Sequence, residues 1–165
     1  MYSAISLFAY CGGSVIGLRA AGVEPIWANE KCESACHLYE DVTGHHTMRP
    51  GNIRKVRRFP KADILAGCYP CQGYSQGGRR DHLDKINFLY REYDRVLRQM
   101  RPLAVIVENV DGMRFAQNDH LLRNQLVRFR AAGYQVTWKV LDAKDYGLAQ
   151  DRKRLFIVGV RSPNG

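Results

Sequence analysis

Apolar residues recur along this chain with two alternating periods. Short apolar runs at residues 4–8, 25–29, 63–66 and 103–107 predict strands. The last of these, Leu103, Ala104, Val105, Ile106 and Val107, is unbroken, as expected for a strand buried on both faces. Between the runs, apolar positions fall three and four residues apart. Residues 14–21 predict a helix with Val15 and Leu18 on one face and Gly22 at its end. Residues 31–42 predict a second helix. Residues 85–100 predict a third, with Ile86, Leu89, Tyr93, Val96, Leu97 and Met100 inward and Pro102 breaking it. Residues 119–132 predict a fourth, carrying Leu121, Leu122, Gln125, Leu126 and Phe129 at helical spacing and stopped by Gly133. Residues 134–141 and 154–160 predict two strands that would pair antiparallel at a sheet edge. Residues 44–60 are polar, basic and turn-rich, with a short strand predicted near residues 53–56. Residues 67–83 contain Gly67, Gly73, Gly77 and Gly78 and predict a loop. This alternation is the pattern of an α/β fold with a doubly wound, mostly parallel sheet. No repeat, low-complexity stretch or linker divides residues 1–165, so one domain is expected.

Composition changes the picture in one respect. With 45% hydrophobic residues among 165, the chain can bury an ordinary core. Its charge is unusual: 25 Lys and Arg against 16 Asp and Glu give +9, which suits a polyanionic partner such as nucleic acid. A solvated basic surface is the plainer alternative. No basic region precedes the apolar start, and no apolar run is long enough to span a bilayer, so neither a signal peptide nor a membrane anchor is expected. Five cysteines without a secretory signal predict free thiols in a reducing cytoplasm.

The candidate chemistry gathers at strand ends. Cys71 follows Pro70 in the run Gly67-Cys68-Tyr69-Pro70-Cys71-Gln72-Gly73-Tyr74-Ser75, on a loop leaving a strand. Glu108 closes the strand that reads Val105-Ile106-Val107-Glu108-Asn109-Val110. Arg152 and Arg154 precede the last strand, in Gln150-Asp151-Arg152-Lys153-Arg154-Leu155. Near the N-terminus, Gly12 and Gly13 join the first strand to the first helix, where paired glycines let a ligand approach the backbone. Glu30 ends the second strand, a position from which an acid can accept hydrogen bonds from ribose hydroxyls.

In this order, the segments resemble the cytosine-5 DNA methyltransferases, over nearly all of the chain. The resemblance implies a Rossmann-like, S-adenosylmethionine-dependent methyltransferase catalytic domain over residues 1–165, of the kind found in restriction-modification systems. It implies that Cys71 is the nucleophile that attacks cytosine, and that Glu108 holds the ring nitrogen and exocyclic amine. Arg152 and Arg154 would bind the base or orient Glu108, while Gln72 and Ser75 would touch the DNA backbone. For the cofactor, Phe8 would pack on adenine, Gly12 and Gly13 would lie along the methionine part, and Glu30 would hold the ribose. Asn52 falls where an aspartate usually reads the adenine amine, and an Asn carbonyl can accept that bond. Ser6 stands where an aspartate is usual, and Tyr10 where a glycine is usual. The implied partner is double-stranded DNA with its target base flipped out. The chain stops where the family's DNA-reading half should begin, so a second polypeptide or a C-terminal half carrying target recognition is expected. No metal is expected, and the implied setting is the cytoplasm, beside the nucleoid in a bacterium.

Four other readings stay open at this point. Cys68 and Cys71 form a C-x-x-C pair, the pattern of thiol-disulfide enzymes; on that reading Cys68→Ser abolishes redox activity but leaves methyl transfer intact. Cys32, Cys36 and His37 with Cys68 and Cys71 offer donors for zinc, at a spacing that matches no standard ribbon or finger. The chain could be an incomplete or degenerate methyltransferase that binds without turnover, or a tRNA-directed relative.

Overall fold

One seven-stranded sheet, in the order β3-β2-β1-β4-β5-β7-β6, organises the computed structural model, which describes residues 1–70, 89–115 and 119–162. The strands are β1 (Ser3–Leu7), β2 (Glu24–Glu30), β3 (Met48–Pro50), β4 (Ile64–Gly67), β5 (Ala104–Val110), β6 (Tyr134–Asp142) and β7 (Lys153–Arg161). The helices are α1 (Gly13–Ala20), α2 (Glu33–Thr43), α3 (Tyr90–Met100) and α4 (Asp119–Ala131). All strands run parallel except β7, which is antiparallel to both neighbours. The expected antiparallel pair therefore forms, but only β6 is the edge. Strand β7 slots between β5 and β6.

Helices cover both faces, which is why the central strands read as continuous apolar runs. On one face, Tyr93, Val96 and Leu97 of α3 and Leu122, Leu126 and Phe129 of α4 pack with Ile5, Leu7, Leu65, Val105, Val107, Leu155 and Ile157. On the other, Leu18 of α1 packs with Ala4 and Ala66, and Val15 joins Cys36 and Tyr39 of α2. Helix α2 ends at Gly44, whose φ of 67° is the left-handed conformation that suits glycine. Among the described residues, no helix is long and apolar enough to cross a membrane.

One expected element is corrected. The strand predicted near residues 53–56 is a 3-10 turn at Ile53–Lys55, and the strand itself lies upstream at Met48–Pro50. Ile53 and Val56 are spaced by three, the period of a 3-10 turn rather than of a strand. The start of the helix expected at residues 85–100, with Ile86, lies outside the described residues, as does most of the loop expected at residues 67–83.

Candidate active site

The sheet order reverses direction between β1 and β4, with β2 and β3 on one side and β5 on the other. Open α/β sheets bind ligands outside the carboxyl ends of their strands at such a point. Two clefts open there. The first, of about 810 Å³, is lined by Phe8, Tyr10, Glu30, Asn52, Ile53 and Leu89, among others. The second, of about 720 Å³, runs from Gly13 and Gly17 of α1 across Ile106 and Phe156 to Glu108 and Arg152. Cys68 lines both.

The loop after β1 is backbone-strained. Phe8 and Tyr10 take φ values of 56° and 46°, a region that costs a non-glycine residue about 1–2 kcal/mol. Glu30 holds the loop in place. Its Oε2 accepts from the Tyr10 amide at 3.1 Å, and its Oε1 accepts from the Lys31 and Cys32 amides at 2.7 and 2.8 Å. Tyr10, in the position where glycine is usual, thus adopts the left-handed backbone itself. Ser6 is fully buried and pairs with Ser14, oxygen to oxygen at 3.0 Å, tying β1 to the first turn of α1.

Gly12 and Gly13 differ in role. Gly12 has φ +91°, and a Cβ there would stand 2.3 Å from Thr43 Cγ2 and 3.1 Å from the Tyr39 ring. It faces α2 and lines neither cleft. Gly13 lines the second cleft, with open space where a Cβ would stand. Asn52 caps the 3-10 turn, its Oδ1 accepting from the Arg54 amide at 3.0 Å. Behind it, the buried Asn29 donates to the carbonyls of Arg49 and Gly51 at 2.7 and 3.1 Å, fixing that segment against β2.

At the end of β5, Glu108 Oε1 accepts from Arg154 Nε at 3.0 Å. Sequence alone could not pair them. They meet because β7 runs back along β5, with Val110 opposite Arg154. The other oxygen, Oε2, accepts from the Cys68 thiol. Burial, then the charge of Glu108, pushes that thiol far above its ordinary range, while Arg154 and Arg152 pull the other way. Arg152 reaches the second cleft on a backbone clamped by Asp142, whose Oδ1 accepts from the Arg152 amide at 3.1 Å.

Cys71, Gln72 and Ser75 lie outside the described residues. The approach to them is well held. The Tyr69 hydroxyl donates to Gln125 Oε1 at 2.6 Å, its ring packs edge-on to Phe8 and Tyr93, and Asn109 Nδ2 donates to its carbonyl at 3.4 Å. The sequence carried no signal for this role of Asn109. Gln125, spaced with the apolar face of its helix, was the only signal for its pairing.

Among the described residues, no three His, Cys, Asp or Glu side chains gather to hold a metal. Cys32 sits at the start of α2, its thiol 3.2 Å from the Ser34 hydroxyl, and Cys36 donates to the Glu30 carbonyl at 3.5 Å.

An α/β sheet thus carries, at its switch point, a cleft offering an aromatic ring, a carboxylate and an amide, and a second cleft lined by the carboxylate of a carboxylate–guanidinium pair. The chain belongs to the family of C-5 cytosine-specific DNA methylases, whose model it matches over residues 2–165. It is 33% identical to the type II methyltransferase M.BspRI of Lysinibacillus sphaericus, over 98% of this chain and 45% of that protein. It is 38% identical to the type II methyltransferase M.FnuDI of Fusobacterium nucleatum, over 95% of this chain and 46% of that protein. The chain thus spans under half the length of these curated relatives. Among solved structures, a putative DNA modification methyltransferase encoded within an E. coli prophage superposes with a TM-score of 0.83 at 23% identity, covering 98% of this chain and 47% of that one. The Dnmt2 methyltransferase of S. pombe superposes with a TM-score of 0.76 at 18% identity, covering all of this chain and 52% of that one. These two likenesses establish the fold.

Proposed function

We propose that this chain is the catalytic half of a DNA (cytosine-5-)-methyltransferase, which moves a methyl group from S-adenosylmethionine to carbon-5 of a flipped-out cytosine. The observation that carries the reading is the Glu108–Arg154 pair, 3.0 Å apart, with Glu108 lining the second of the two switch-point clefts. Cytosine is electron-poor at carbon-6 but a weak nucleophile at carbon-5. A thiolate adding to carbon-6 makes carbon-5 enamine-like, so that it can take a methyl group. Loss of the carbon-5 proton then expels the thiolate. Cys71 is assigned as that nucleophile from its Pro-Cys-Gln motif. Glu108 accepts from the exocyclic amine and, in its protonated form, donates to the ring nitrogen, which neutralises the negative charge that addition builds on the ring. Arg154 orients Glu108, and Arg152 lies beside it toward the base.

The residues lining the first cleft fit the cofactor. Phe8 offers a ring face to adenine, Asn52 an amide to its edge, and Glu30 a carboxylate to the ribose. Bound there, the cofactor supplies an electrophilic sulfonium methyl. Gln72 and Ser75 are assigned to the DNA backbone. The net charge of +9 supports a DNA partner, and the cytoplasm is the setting that goes with it.

The relatives' greater length supports a second half that carries target recognition, whether on the same polypeptide or another. The surface has a place for it. Among the described residues no helix covers Val158 and Val160 on β7, which are 39% and 58% exposed beside the apolar second cleft. An apolar segment of that second half covers this face.

The decisive test uses DNA whose target cytosine carries fluorine at carbon-5. Fluorine cannot leave as a proton, so the enzyme with its second half should remain covalently bound to that DNA in the presence of cofactor. Cys71→Ser should form no such complex. A wild-type protein that binds cofactor and DNA yet never traps would point instead to a binding domain without turnover.

A further inference from the structure

Cys68 is the one cysteine of the C-x-x-C pair that the proposed chemistry leaves without a task. We propose that Cys68 is a positioning residue for Glu108, fixing the carboxylate from the oxygen opposite Arg154. The inference rests on the reading of Glu108 as the base-binding carboxylate.

The backbone brings the two residues together. Strands β4 and β5 are parallel, and their register pairs Gly67 with Val107. The next residues, Cys68 just past β4 and Glu108 within β5, therefore stand side by side. The Cys68 amide still donates to the Leu7 carbonyl at 3.3 Å, so its backbone is anchored to β1 as well. A cysteine has a single side-chain torsion before its sulfur, so an anchored backbone leaves few places for the thiol.

The two donors act on different oxygens. Arg154 Nε donates to Oε1, and Cys68 Sγ donates to Oε2. The terminal torsion of a Glu is broad, so one donor alone leaves the carboxylate plane free to turn. A donor on each oxygen removes that freedom, while each oxygen keeps a further lone-pair site for an incoming base. Cys68 also lines both clefts, as do Phe8 and Tyr10.

The electrostatics suit a donor rather than a second nucleophile. Burial and the adjoining Glu108 charge keep this thiol in its protonated form. A thiol that stays protonated, and spends its hydrogen on a carboxylate, is a poor redox partner.

Cys68→Ala and Cys68→Ser, made in the full methyltransferase, test the proposal by separating the donor from its bulk. Cys68→Ala should lower kcat roughly tenfold or more, the scale of a misplaced catalytic group, while KM for cofactor and DNA stays within about twofold. Cys68→Ser keeps a donor of similar size and should recover turnover to within about threefold of wild type. Wild-type kcat in Cys68→Ala overturns the proposal. So does equal impairment of both variants, which would mean that sulfur bulk rather than hydrogen bonding matters. An infrared measurement on the chain itself reads the contact without turnover. The S–H stretching band that disappears in Cys68→Ser should lie below the bands of the other thiols, and should rise in Glu108→Leu. A band that ignores Glu108→Leu overturns the proposal. If Glu108→Gln retains wild-type turnover, it is the parent assignment of Glu108 that fails, and the infrared result still decides whether the clamp exists.

Discussion

The Tyr69 hydroxyl donates to Gln125 Oε1 at 2.6 Å, and each residue is only 3% exposed. This bond ties the segment that follows β4 to α4, within the core cluster that both share. Removing one partner strands the other without water, which costs about 1–3 kcal/mol. Tyr69→Phe and Gln125→Leu should each destabilise the chain by that amount in urea unfolding. The double variant should recover part of the loss, because both polar groups are then gone. Strict additivity of the two single losses would show that the pair is not coupled.

Adjacent glycines should respond oppositely to alanine. Gly12→Ala forces a side chain into φ +91° and against Thr43 Cγ2, 2.3 Å from the added carbon. Left-handed strain and overpacking together should cost about 2–5 kcal/mol. Gly13→Ala meets nothing within 4 Å and lies at the start of α1. It should leave stability unchanged or raise it by up to about 1 kcal/mol. Denaturant midpoints of the two variants check this. Similar losses at both positions would mean that α2 does not pack on Gly12 as described.

Acid should unfold the chain partly through Asp142. Burial pushes its carboxyl up, but the Arg152 and Lys144 amides and the Lys144 ammonium outweigh burial and hold it below the usual carboxylate range. A depressed folded value means that the stabilisation is complete above the unfolded value, about 3.9 for Asp, and is lost as pH falls further through the folded value. Asp142→Asn removes the charge and should flatten the decline in stability below about pH 4 relative to wild type. Unfolding midpoints measured from pH 6 down to 2 provide the comparison. Parallel curves for the two proteins would remove Asp142 from the acid response.

Charging the uncovered sheet face should separate stability from assembly. Val158 and Val160 lie toward solvent, so Val158→Lys and Val160→Lys should each change the stability of this chain by no more than about 0.5 kcal/mol. Binding of the C-terminal half of the Fusobacterium nucleatum relative, followed by calorimetry, should weaken at least tenfold in each, since a buried unpaired charge is costly. Unchanged binding would move the second half to a different face.

Glu30 offers the most direct check of the cofactor cleft. Its carboxylate oxygens already take three backbone amides, from Tyr10, Lys31 and Cys32. Glu30→Ala should therefore abolish S-adenosylmethionine binding in calorimetry, both by removing a ribose acceptor and by releasing the strained Tyr10 backbone. Full retention of binding would place the cofactor elsewhere.

The sequence by itself determined the elements and their ends. Apolar runs and three-to-four spacing are set by local burial, so β1, β7, α1 and α4 were legible within a residue or two, while β5 runs three residues past the expected end, to Val110. Glu30 was legible as a strand-end carboxylate for the same reason, whereas Glu108 lies two residues inside the end of β5. Where the local period was ambiguous, as at Ile53 and Val56, the reading failed and a 3-10 turn stood in place of a strand. Tertiary structure alone decided which residues meet. The insertion of β7 between β5 and β6 brings Arg154 to Glu108, and the parallel register of β4 and β5 sets Cys68 against the same carboxylate. It also turned Gly12 toward α2 while leaving Gly13 on the cleft. Periodicity records whether a position faces the core, but cross-strand partners depend on register between segments distant in sequence. That register is fixed by packing of the whole sheet against its helices.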